Sequence, residues 1–148
     1  MTNMQRFTRI TGEIDSLYHE AAFRLGQSDS NMTVLYTLLS TNGQCDISDI
    51  CLMSGMRKQT LNSALRKLEQ AGMIYLKNSK GKNKTVFLTE EGYETAQQSA
   101  GKLQKIEAEA LKEWTQDEIA EFLGLAERYL DRFRDLVEEI PLASADNK

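Results

Sequence analysis

The sequence is short of the residues on which most catalysis and cross-linking depend. It holds one histidine, His19, one proline, Pro141, and two cysteines, Cys45 and Cys51, in 148 residues. A single histidine leaves little for general acid–base work. No Ser-His-Asp order, phosphate-cradling glycine loop or metal cluster accompanies it, so no enzyme is expected. The two cysteines stand too close together to staple a domain and lack the further Cys or His that zinc requires. Reduced thiols are therefore expected, with neither a metal nor a cofactor. No stretch approaches the roughly 18 apolar residues of a membrane span. The start, MTNMQRFTRI, lacks the charged-then-apolar layout of a secretion signal, and the expected location is the cytoplasm.

Positive charge also looks scarce when only the total is read. Eighteen Lys and Arg against 22 Asp and Glu leave −4, which by itself argues against nucleic acid. The distribution reverses that argument. Between Arg57 and Lys84 stand Arg57, Lys58, Arg66, Lys67, Lys77, Lys80, Lys82 and Lys84 against one acid, Glu69, so this segment carries +7 and the remainder −11. A basic face attracts phosphate even on an acidic molecule.

Apolar periodicity supplies the elements. Phe7, Ile10, Ile14, Leu17, Tyr18, Ala21, Ala22 and Leu25 recur at helical spacing on a first helix that Gly26 ends. The run QSDSN offers Asp29 or Ser30 as the cap of a second helix, MTVLYTLLST, apolar nearly all round and so expected in a core. Asn42 and Gly43 break it, and Asp46 is expected to cap a third helix, ISDICLMS, closed by Gly55. A fourth, RKQTLNSALRKLEQAG, buries Leu61, Ala64, Leu65 and Leu68 and turns a polar, basic face outward. Two helices meeting across a Gly-containing turn, the second with such a face, make a helix-turn-helix. MIYLKN and KTVFLT then flank SKGKN as a hairpin with a basic tip. One long helix is expected from EEGYETAQQSAGKLQKIEAEALKEW, capped by Thr89. A last helix opens on a capping box, Thr115 with Glu118, and ends at Pro141. The fold class is thus mainly α with a small β-hairpin. Its expected organisation is a dimerisation helix over 1–28, a winged helix-turn-helix over 29–90 and dimerisation helices over 91–148.

The fourth helix has the equipment to read a major groove. Gln59, Asn62 and Ser63 match base-edge donors and acceptors, Arg57, Lys58 and Arg66 suit guanine or phosphate, and Thr60 with the first-turn N–H groups suits a phosphate oxygen. Lys77, Lys80, Lys82 and Lys84 would carry cations to an adjacent groove or the backbone. A charged turn alone is as often merely solvated. Its place directly after a helix-turn-helix favours the nucleic-acid reading.

The run DISDICLMSGMRKQTLNSALRKLEQAGMIYLKNSKGKNKTVFLTEEG resembles the winged-helix core of the MarR family of bacterial transcription regulators. Three features carry it: the capped helix before Gly55, the helix ending Leu-Glu-Gln-Ala-Gly-Met-Ile, and Leu88-Thr89-Glu-Glu-Gly after the hairpin. The resemblance implies that Arg57, Lys58, Gln59, Thr60, Asn62, Ser63 and Arg66 form the recognition surface. It also implies that the terminal helices interlock two chains, setting two recognition helices about 34 Å apart on a pseudo-palindromic operator. One departure stands out. Where the family's wing commonly reads Asp-x-Arg, this chain has Lys80-Gly81-Lys82, which favours looser phosphate contact over minor-groove insertion. The broad stripes of the end helices exceed what a core of about 60 residues could cover, which independently calls for a partner.

The function expected is that of a homodimeric regulator binding double-stranded DNA, a repressor whose affinity falls when a small molecule or stress signal shifts the recognition helices. The competing class is a winged-helix adaptor that binds protein only. Steep salt dependence would mark the former. In the family, small, often aromatic molecules bind between frame and winged core, which implicates His19, Phe23 and Tyr36. Against that, a lone His is more often a half-buried structural residue. Redox sensing by Cys45 or Cys51 is the less favoured reading, since both fall at positions that want an apolar side chain. Met53, Met56 and Met73 are expected to fill gaps in the core, and Trp114 to serve packing.

Overall fold

A computed structural model describes residues 1–79, 81 and 83–143. Lys80, Lys82 and the end of the tail ASADNK lie outside the described residues. The chain divides into two compact units, Met1–Ala108 and Glu109–Lys148. No described helix is long and apolar enough to cross a membrane.

In the first unit, helix α1 (Asn3–Arg24) leads into α2 (Asp29–Ser40), followed by strand β1 (Gln44–Asp46) and helices α3 (Ile47–Ser54) and α4 (Lys58–Gln70). Strands β2 (Ile74–Asn78) and β3 (Lys84–Leu88) form the hairpin, and α5 (Glu90–Gln98) and all but the last two residues of α6 (Ala100–Ala110) follow. Helix α2 is the hub, touching α1, α3, α4, α5, β1 and β3. Its apolar composition explains why: Met32, Val34, Leu35 and Leu38 are all at or below 4% exposed. Leu61, Ala64, Leu65 and Leu68 of α4 join them in one core with Ile50, Ile74 and Val86. Each fully buried Leu or Ile stabilises the fold by roughly 1.5 to 3 kcal/mol before entropy is charged against it.

Several local expectations need correction. Ser28, not Asp29 or Ser30, caps α2: its extended backbone lets the hydroxyl accept from Asn31 N–H at 3.2 Å. Asp29 falls instead in the first turn, where its charge favours the helix dipole. Asp46 stands at the N-cap of α3 but makes no side-chain cap bond. Its carboxylate accepts from Thr85 Oγ1 at 2.5 Å, because Asp46 and Thr85 are register partners in a sheet ordered β1-β3-β2. The hairpin is thus a three-stranded antiparallel sheet. The single helix expected over 90–114 is two, broken at Ser99 (φ −117°, ψ −80°). Ser99 Oγ donates back to the Thr95 carbonyl at 2.7 Å, a local bond that competes with helical continuation. Ser99 and Ala100 are buried there.

The second unit carries helix α7 (Gln116–Glu138). Its start is the capping box expected: Glu118 N–H donates to Thr115 Oγ1 at 3.1 Å and Thr115 N–H to Glu118 Oε1 at 3.0 Å. Those bonds hold the Glu118 carboxyl below its usual value. Trp114 packs edge-on against Phe122, with ring centroids 5.5 Å apart. No residue of α7 is buried, although Phe122, Leu123, Leu130, Phe133, Leu136 and Val137 recur along it.

Candidate nucleic-acid interface and adjoining cavity

Helix α4 is displayed by the packing of its other face. With Leu61, Ala64, Leu65 and Leu68 anchored, Arg57, Lys58, Gln59, Thr60, Ser63 and Arg66 are exposed and Asn62 is half-buried. Arg57 is the N-cap by position, and no side chain caps the helix, so the first-turn N–H groups are left for an incoming acceptor.

Concavities run along both sides of α4. On one side Gln59, Thr60, Ser63 and Lys67 face Ser28 and Ser30 at the start of α2 across a space of about 290 Å³. On the other, Lys58, Asn62 and Arg66 face Asn83 and Lys84 of the hairpin across about 730 Å³. Of the sequence-predicted residues, Gln59, Thr60 and Ser63 thus share one concavity and Lys58, Asn62, Arg66 and Lys84 the other, while Arg57 and Lys77 line neither. Lys77 lies on the outer sheet face, its ammonium 5.5 Å from the Tyr75 ring centroid and 5.7 Å from that of Phe87. These rings stack at 5.1 Å across the strands, so Lys77 also serves as a lid on an aromatic ladder. Lys67, absent from the sequence-predicted set, lines the first concavity because the start of α2 lies beside it, which its α4 register does not reveal.

A third concavity, of about 340 Å³, opens within the first unit among α1, α2, the end of α3 and α6. His19 and Tyr36 line it; Phe23 does not, and is 78% exposed. His19 is exposed and not half-buried as expected, its Nδ1 2.8 Å from Asp29 Oδ2. Met53 is exposed and lines this cavity instead of filling the core, whereas Met56 and Met73 pack against the core as expected.

Glu107, unremarked in the sequence, organises the cavity. It accepts from Tyr18 OH at 2.5 Å and from Tyr36 OH at 2.6 Å. Partial burial first, and the Glu107 bond and charge second, push Tyr18 up to about 12 and raise Tyr36 further. A raised phenol value means the folded state holds its proton longer than the unfolded chain does. The associated stability is whole below the ordinary value of 10 and is lost as pH rises toward about 12. Urea midpoints should accordingly fall with pH across that window, and Glu107→Gln should flatten the fall. An unchanged slope in the variant would remove Glu107 as the cause.

The cysteines are free, Cys45 buried and Cys51 half-buried. Burial, then the Asp49 charge, pushes the Cys45 thiol up, away from the reactive thiolate. Among the described residues no cluster of three or more His, Cys, Asp or Glu could hold a metal.

A helical pair joined across Gly55, an exposed basic second helix and an antiparallel wing define a winged helix-turn-helix, and residues 25–82 match the model of the MarR family. Residues 25–82 are similar to the winged helix of the MarR family. Solved structures extend the likeness of fold to most of the chain. NMB1585, a MarR family regulator from Neisseria meningitidis, is 16% identical, with 94% of this chain and 99% of that one covered at a TM-score of 0.83. AbsC, a MarR family transcriptional regulator from Streptomyces coelicolor, is 17% identical over 91% of this chain and 97% of its own, with a TM-score of 0.69. MepR of S. aureus, solved as a DNA complex, is 16% identical over 90% and 98%, with a TM-score of 0.68. No curated protein matches the chain.

Proposed function

We propose that this chain, with its MarR-like winged helix, is a DNA-binding transcriptional regulator that works as a homodimer. In this reading α4 enters the major groove and the wing tracks the flanking backbone. The observation that carries it is the outer surface of α4, where base-reading Gln59, Asn62 and Ser63 lie among Arg57, Lys58 and Arg66 at an uncapped helix start. Lys67 and the N-terminus of α2 would bracket a phosphate on one side, and Lys84 on the other. Repression follows if the operator overlaps a promoter.

The cavity lined by His19 and Tyr36 would be the effector site. Met32 and Tyr36 in its wall belong to α2, and α2 packs directly on α4. A ligand filling the cavity therefore acts on the element that positions the recognition helix. It weakens DNA binding only insofar as it prefers the arrangement that DNA does not.

Selection of bound fragments from genomic DNA, followed by titration on the recovered site, tests this reading. Gln59→Ala or Asn62→Ala should cost about 1 to 3 kcal/mol and relax base preference, whereas Lys84→Ala should weaken all sequences alike and reduce the salt slope by about 1. Identical behaviour of the two sets would overturn the division of labour between helix and wing. Binding that ignores salt would favour an adaptor.

A further inference from the structure

The proton inventory of the cavity points to the chemical class of its ligand. Five hydroxyl-bearing side chains line it: Tyr18, Thr33, Tyr36, Thr37 and Ser54. Each already donates within the protein. Both phenols donate to Glu107, Thr33 to the Asp29 carbonyl at 2.9 Å, Thr37 to the Thr33 carbonyl at 2.9 Å, and Ser54 to the Ile50 carbonyl at 2.5 Å. What these oxygens have left to offer a ligand is lone pairs.

The charged groups tell the same story. Asp15, Asp29 and Glu107 line the cavity, and among the described residues no Lys or Arg does. A carboxylate can only accept, so His19 Nδ1 facing Asp29 carries a hydrogen, and in the neutral tautomer with that hydrogen Nε2 is an acceptor as well. Met32, Met53, Ala22 and Leu103 supply the apolar wall. An anionic ligand would meet three like charges and, while His19 is neutral, no side-chain donor. A cation with N–H groups would meet acceptors on every polar side.

We propose that this cavity takes a small organic cation bearing N–H donors on an apolar body, an amine or amidine, and not an organic acid. The assignment rests on the reading of the cavity as the effector site. Benzamidine and benzoate make a test pair, because they share size and shape while exchanging donors for acceptors and positive for negative charge. Binding is followed by titrating each into the full-length protein and watching the Tyr36 and His19 ring resonances, with DNA affinity measured alongside.

Benzamidine should bind at least about tenfold more tightly than benzoate, move both resonances and weaken DNA binding. Asp15→Asn and Glu107→Gln should each erode that preference. Asp15 is exposed and makes no bond that its amide would break, so its variant keeps the test valid even if Glu107→Gln fails to fold. Benzoate binding as tightly as benzamidine at the same resonances would overturn the ligand class and leave the effector cavity standing. If neither compound moves those resonances, both the class and the cavity's regulatory role fall, while DNA binding by α4 is judged separately.

Discussion

Gly92→Ala should destabilise the protein by about 3 kcal/mol, at the upper end of what overpacking does, although the change adds a single methyl to a helix. A Cβ built on Gly92 falls 1.8 Å from the Met73 carbonyl oxygen and 2.7 Å from its carbon, both backbone atoms. Neither can swing aside as a side-chain tip could. Met73 is itself pinned: its N–H donates to the Leu68 carbonyl at 2.9 Å as Gly72, at φ +76°, closes α4, and its oxygen accepts from Thr89 N–H at 3.0 Å. Thr89 Oγ1 donates to the Gly72 carbonyl at 2.6 Å while accepting from Gly92 N–H at 3.0 Å. The end of α4 and the start of α5 are thus tied through one threonine, and the added methyl must pry them apart. Gly12→Ala is the control. It makes the same chemical change on α1, where nothing lies within 4 Å, and should stabilise by about 0.5 to 1 kcal/mol through helix propensity alone. Urea denaturation of both variants checks the pair. Equal small effects would show that α5 moves freely against the strand.

That knot explains what could and could not be read in the sequence. Leu88-Thr89-Glu-Glu-Gly was legible as a family likeness and Thr89 as a cap, but the reason for the glycine is a contact with Met73, distant along the chain. The long amphipathic segments declared themselves because each presents many periodic residues. Strand β1 did not, since three residues carry no period and Gln44–Asp46 is a strand only because β3 passes beside it. The break at Ser99 stayed hidden for a similar reason: Ser-Ala-Gly is compatible with a continued helix, and the bond from the Ser99 hydroxyl to the Thr95 carbonyl competes with it. The face of α4 was readable residue by residue, because burial of one stripe dictates exposure of the other. The cavity was readable only in part. His19 and Tyr36 were within reach of sequence reasoning, but Glu107 joins Tyr18 and Tyr36 from well over sixty residues away, and nothing local marks it.

Leu130→Asp together with Phe133→Asp should convert the protein to monomer and lower its affinity for a full operator by a factor on the order of 10² to 10⁴, leaving the winged core folded. The expectation rests on α7, which carries an apolar stripe over 23 residues yet buries none of it. Leu130 and Phe133 are each 51% exposed, in a helix whose Leu123, Leu136 and Val137 continue the stripe. Such a surface left in water is a site for association, and a two-fold pairing is the commonest way to close it. The effect on DNA follows from linkage rather than from any lost DNA contact. Two half-sites held on one dimer bind as one event, the second engaging at the effective concentration set by the first, and separated chains forfeit that gain. A half-site titration distinguishes this from unfolding, because the monomer should still bind one half-site with the native protein's base preference and salt slope per subunit. Light scattering gives the mass. A double variant that stays dimeric would place the interface elsewhere, and one that becomes monomeric without losing operator affinity would show that the two recognition helices act independently.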